Sequence, residues 1–88
     1  MINSKENDEI KVKLLNIDKG LIEYDNVQLI RIKSKTYNIV IMKDYVPIIG
    51  EIDGSIEIEL EDKVTRLDNV VGYYMHRQNQ FNLFLEKV

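Results

Sequence analysis

His76 is the one histidine of the chain, set within Tyr73-Tyr74-Met75-His76-Arg77. An imidazole works as a general base only with an orienting carboxylate on one side and a nucleophile on the other. The serines Ser4, Ser34 and Ser55 fall in the N-terminal stretch and in turn-like segments, so a structural or surface role for His76 is expected. Glu57, Glu59 and Glu61 alternate with Ile56, Ile58 and Leu60. On a strand their carboxylates share one face at a spacing of about 6–7 Å. Such a row could hold a cation, but calcium loops use irregular backbone around a glycine turn, and a solvated face is the plainer expectation.

Other chemistries find less to work with. Cysteine is absent, which removes disulfides, thiolate zinc sites and cysteine nucleophiles together. Neither Gly50 nor Gly54 leads into the Gly-Lys-Ser or Gly-Lys-Thr of a phosphate loop. The five tyrosines and two phenylalanines could stack on bases. With 12 basic against 15 acidic residues and a formal charge of −3, however, there is no basic excess to follow a phosphate backbone. The expectation is a protein with no catalytic centre, no cofactor, no metal and no nucleic-acid partner, acting by binding other proteins.

The elements that must position these residues read as strands. Ile56 to Glu61 alternates apolar and acidic without a fault, the mark of a strand with one wet face. Ile10, Val12 and Leu14 alternate with Lys11 and Lys13; Tyr37, Ile39 and Ile41 share one face of a strand opposite Val40 and Met42; and Phe81, Leu83 and Leu85 line one face, with Phe84 the exception. No window sustains the three- and four-residue spacing of a helix. Asp18-Lys19-Gly20, Tyr24-Asp25-Asn26, Lys33-Ser34-Lys35, Asp53-Gly54-Ser55, Glu61-Asp62-Lys63, Asp68-Asn69 and Gln78-Asn79-Gln80 carry turn chemistry. The strands expected are 9–16, 20–24, 27–33, 36–42, 48–52, 55–60, 63–67, 70–76 and 80–86. Short strands at this spacing indicate an all-β fold, a small sandwich or flattened barrel of about 8–9 mostly antiparallel strands. Pro47 belongs at a strand edge, since it cannot donate to a ladder.

Composition agrees. Alanine is absent and isoleucine is the commonest residue, a bias that suits pleated, half-buried surfaces. An AT-rich genome would enrich the same residue types, so the pattern decides. Eighty-eight residues are enough for one domain with a thin core, expected over 10–88 behind a polar N-terminal tail at 1–9. That tail lacks the basic start and apolar centre of a signal peptide. No apolar run approaches a membrane span, so membrane association is expected only through a partner. A small chain without disulfides suits a reducing cytoplasm.

The stretch from Lys33 to Ile49 runs from basic through aromatic to strongly apolar and ends in Asp44-Tyr45-Val46-Pro47-Ile48-Ile49. It reads equally as a strand, a turn and a strand of core, or as a docking edge for a protein partner. The candidate interface residues are Tyr37, Asn38, Ile39, Tyr45, Val46, Pro47 and Ile48.

The same stretch resembles the N-terminal β-sandwich of the epsilon subunit of F-type ATP synthases (delta in mitochondrial naming). Ile10–Ile17, Asp18-Lys19-Gly20 and Leu21–Asn26 follow the order of that family's first strands and turns. Tyr37-Asn38-Ile39-Val40-Ile41 stands at its Gly-Glu-Leu-Gly-Ile segment, with both glycines and the glutamate replaced. Asp44-Tyr45-Val46-Pro47-Ile48-Ile49 stands at its Gly-His-Ala-Pro-Leu-Leu turn, with Pro47 identical. Ile52–Ile58, Val71–His76 and Phe81–Leu85 resemble the strands that follow, so the similarity covers about residues 10–87. The resemblance implies a non-catalytic subunit of the central stalk, at the inner face of the cell membrane, that couples a gamma-like subunit to the membrane ring through the Tyr37–Ile49 rim. It also implies a short form without the C-terminal helical hairpin, neither binding ATP nor braking its hydrolysis. The alternative is a β-sandwich adaptor or regulatory module that uses the same rim for an unrelated protein.

Overall fold

The computed structural model describes residues 9–87; apart from Glu9, the expected tail lies outside the described residues. Seven strands carry the fold: β1 (Ile10–Asn16), β2 (Gly20–Val27), β3 (Leu29–Ser34), β4 (Asn38–Met42), β5 (Ile48–Glu59), β6 (Val64–Arg77) and β7 (Gln80–Lys87). They form one sheet in the order β2-β1-β7-β6-β5-β3-β4. Every neighbouring pair is antiparallel except β1 and β7, which run parallel.

The sheet turns back on itself through its two longest strands. The first half of β5 pairs only with the second half of β6, which continues into β7, β1 and β2. The second half of β5, from Gly54, lies between β3 and the first half of β6. The two layers enclose one apolar core. Ile10, Val12, Leu14, Ile52, Tyr74, Phe81 and Leu83 come from one layer, and Ile30, Ile32, Ile41, Ile56 and Ile58 from the other.

Seven strands stand where nine shorter ones were expected, because Asp53-Gly54-Ser55 and Asp68-Asn69 are not turns. β5 and β6 run through them, and the pairing slips by one residue between Gly54 and Ile56, leaving one residue too many in β6. Asn69 takes a φ of 55° there, making the stretch a β-bulge. The bulge switches the buried phase of β6 from Leu67 to Val70, Gly72, Tyr74 and His76, so both halves of the strand keep their apolar side inward. Gly54 is needed at this corner: a Cβ would lie 2.0 Å from the backbone oxygen of Lys33. Asp25-Asn26 serves β2 in the same way, with Asn26 at a φ of 57° and Val27 turned inward after it.

Other turn signals do make turns. Asn16 Oδ1 accepts the N–H groups of Asp18 and Lys19 at 2.8 and 3.0 Å, shaping the β1–β2 turn. Gln78 and Asn79 both have positive φ, as a two-residue turn of type I′ between β6 and β7 requires.

Candidate protein-docking surface

The inward face of the β5–β6–β7 layer carries a chain of rings at the level of the expected rim. Tyr74 stacks on Phe81 with centroids 5.5 Å apart, and Phe81 lies 6.1 Å from His76. Tyr45 meets His76 edge-on at 6.5 Å. A Cβ at Gly50 would lie 2.5 Å from the Tyr74 hydroxyl, so the glycine makes room for the ring. The Tyr37 hydroxyl donates to the backbone oxygen of Glu51 and is 2.8 Å from the Tyr74 hydroxyl. Burial, assisted by Tyr37, pushes the Tyr74 phenol well above its ordinary value.

His76 is fully buried, and neither ring nitrogen has a hydrogen-bond partner among the described residues. Burial holds its pKa below the ordinary histidine value. Ser34 Oγ is occupied with the backbone of Asp53. Glu57 lies between Arg31, at 3.6 Å, and Arg66, at 2.7 Å. Glu61 falls beyond the end of β5, so the three glutamates do not form one strand row. Among the described residues no group of three or more acidic or histidine side chains is placed to hold a metal ion.

The interface candidates divide by exposure. Tyr37, Ile39, Tyr45 and Ile48 are half-buried and pack against the core, whereas Asn38, Val46 and Pro47 are exposed. The loop carrying Tyr45, Val46 and Pro47 is held to the β6–β7 turn by a two-way clasp. Asp44 N–H donates to Asn79 Oδ1 at 2.7 Å, and Asn79 Nδ2 donates to Asp44 Oδ1 at 3.1 Å.

A larger apolar surface lies on the outer face of the same layer. The pairing sets Tyr73 beside Phe84, Phe84 beside Leu15 and Leu15 beside Leu21. These four side chains form one row across four strands, about 15 Å long at ordinary strand spacing. They are exposed by 50%, 45%, 43% and 55%. Met75 and Ile49, paired to each other, extend the patch towards Pro47. Lys13, Glu23 and Asn82 border it in the adjacent register row. An apolar row with a polar border has the composition of a protein-binding surface.

Ile49 ends the Tyr37–Ile49 rim expected from the sequence, whereas Leu15, Leu21, Tyr73, Met75 and Phe84 lie outside it. The signal was a broken alternation: each is an apolar residue in the solvent phase of its strand, and Phe84 alone stood out as an exception.

No family model and no curated protein matches this chain. Among solved structures, it is similar to a chain of the Tetrahymena thermophila mitochondrial ATP synthase in a cryo-EM structure of the central stalk and c-ring. The TM-score is 0.69 at 17% identity over 90% of this chain. This chain spans 64% of that one's length. At this identity the likeness is one of fold.

Proposed function

We propose that this chain is a non-catalytic, epsilon-type subunit of the central stalk of an F-type ATP synthase, coupling a gamma-like subunit to the membrane ring at the inner face of the membrane. The observation that carries this reading is the likeness of 90% of the chain to one from a central stalk and c-ring structure. The exposed row Tyr73–Phe84–Leu15–Leu21 supports it, because a rotor subunit needs a surface that binds another protein firmly. The clasped loop at Tyr45–Ile48 supplies a second contact at one end of the sandwich.

The mechanism is mechanical. Two layers share one core and are joined through continuous strands, and close packing resists deformation. Torque applied to one surface would therefore reach the other with little loss.

The test is an affinity pull-down of the full chain from the membranes of its host, read by mass spectrometry. Recovery of gamma and ring subunits is expected. Leu15→Glu with Phe84→Glu should weaken that recovery at least tenfold, since central apolar anchors dominate interface energies. Recovery of an unrelated protein with no synthase subunit would replace the stalk reading with that of an adaptor using the same fold.

A further inference from the structure

Among the described residues, four stretches of the sheet have a strand on one side only: β2, β4, residues 48–53 of β5 and residues 64–70 of β6. An open edge offers unpaired N–H and C=O groups to any extended chain, and proteins commonly guard such edges. Three of the four are guarded. β2 carries Glu23, Asp25 and the bulge at Asn26. The open half of β5 is occupied by other groups: Glu51 C=O accepts from the Tyr37 hydroxyl, Asp53 N–H donates to Ser34 Oγ at 2.9 Å, and Asp53 C=O accepts from Lys35 N–H at 3.0 Å. The open half of β6 has the Arg66–Asp68 pair and the bulge at Asn69.

β4 has none of these devices. Asn38-Ile39-Val40-Ile41-Met42 contains no charge, glycine, proline or bulge. Its ladder also shows which groups face outward. Ser34 N–H donates to Tyr37 C=O at 2.8 Å, making Ser34 and Tyr37 a hydrogen-bonded pair. By the alternation of an antiparallel ladder, Ile39 and Ile41 then turn their backbone groups to β3, while Asn38, Val40 and Met42 turn theirs away. Met42 C=O is taken by Tyr45 N–H at 3.1 Å. Asn38 and Val40 present both groups outward, and Val40 and Met42 bring exposed apolar side chains beside them.

We propose that two copies of this chain pair through β4, antiparallel and two-fold symmetric about Val40. That register sets Val40 against Val40 of the second copy, and Asn38 against Met42. The outward-facing residues of one copy thus meet those of the other. Neutrality is what favours a second copy as the occupant: a symmetric pairing sets a strand against its own charges, and β4 has none to repel. The contact is small, so the dimer is weak, with a dissociation constant on the order of 0.1 mM. This inference stands apart from the stalk reading and uses none of the Leu15–Phe84 row.

Sedimentation equilibrium of the full chain from about 10 µM to 1 mM tests it across the expected range. The mass should rise from 10.4 kDa towards twice that value. Val40→Lys should hold the chain at monomer mass, whereas Leu15→Lys should leave the dimer intact. Amide exchange of the unaltered chain gives a second reading that needs no variant. Val40 and Met42 should slow at least tenfold at high concentration, while Ile39 and Ile41, already bonded to β3, should not change. A monomer at 1 mM, or a dimer whose new protection lies on β2 or along the apolar row, would overturn the proposal.

Discussion

The two outer faces of this sandwich are built from the same kind of strand and present opposite chemistry. Over β3, β5 and the first half of β6, the outward row is Arg31, Glu57 and Arg66, with Asp68 bonded to Arg66 at 2.8 Å. Over β6, β7, β1 and β2, the outward row is Tyr73, Phe84, Leu15 and Leu21. Charges on a half-exposed strand face are at ease in water and add little to stability. Four large apolar side chains in register do not gain from water, and an adjoining surface would remove them from it. Register alone therefore gives the two faces of one core different chemistry: one is charged and at ease in water, the other apolar and of the composition that suits a protein contact.

The corner that divides the faces is where a single change does most damage. Gly54→Ala places a methyl group against the Lys33 backbone oxygen, and backbone cannot move aside as a flexible side chain can. A loss of about 3 kcal/mol or more, or failure to fold, is expected in urea unfolding.

His76, beneath the end of the apolar face, gives a smaller effect that depends on pH. Its pKa is lowered in the folded state, so the unfolded chain binds the proton more readily. Stability from this group is complete above the unfolded value, about 6.5, and is lost as pH falls through the folded value. The slope cannot exceed about 1.4 kcal/mol per pH unit for one proton. Unfolding midpoints between pH 7 and pH 5 should fall for the unaltered chain and less so for His76→Leu. Equal slopes would show that His76 is not the group responsible.

The smallest effect belongs to the charged face. Glu57→Gln should cost less than about 1 kcal/mol, and the difference should shrink in about 1 M salt. A larger, salt-independent loss in the same unfolding measurement would mean that this face is more than a solvated surface.

Much of this fold is legible in the sequence, and the reasons differ by region. Ile10, Val12 and Leu14, Ile56 and Ile58, and Phe81, Leu83 and Leu85 are all buried in phase, because alternation records burial directly. The breaks at Asp53-Gly54-Ser55 and Asp68-Asn69 misled, because residues that tolerate positive φ serve a bulge as readily as a turn. Local chemistry does not say whether the chain reverses or merely shifts its phase. The apolar row was legible only in pieces. Leu15 and Phe84 each look like a lapse in alternation, and only the parallel pairing of β1 with β7 sets them side by side.

That parallel pairing has a consequence in time. Lys11 meets Gln80 and Asn16 meets Leu85, so neighbours in space lie about 70 residues apart along the chain. Contacts of such range form late and slow the search for the native state. On the ribosome β1 emerges long before β7, and its place beside that strand opens only when β7 has left the exit tunnel. Until then Ile10, Val12 and Leu14 wait without the strand that will flank them, and their apolar side chains stay without half of their shelter.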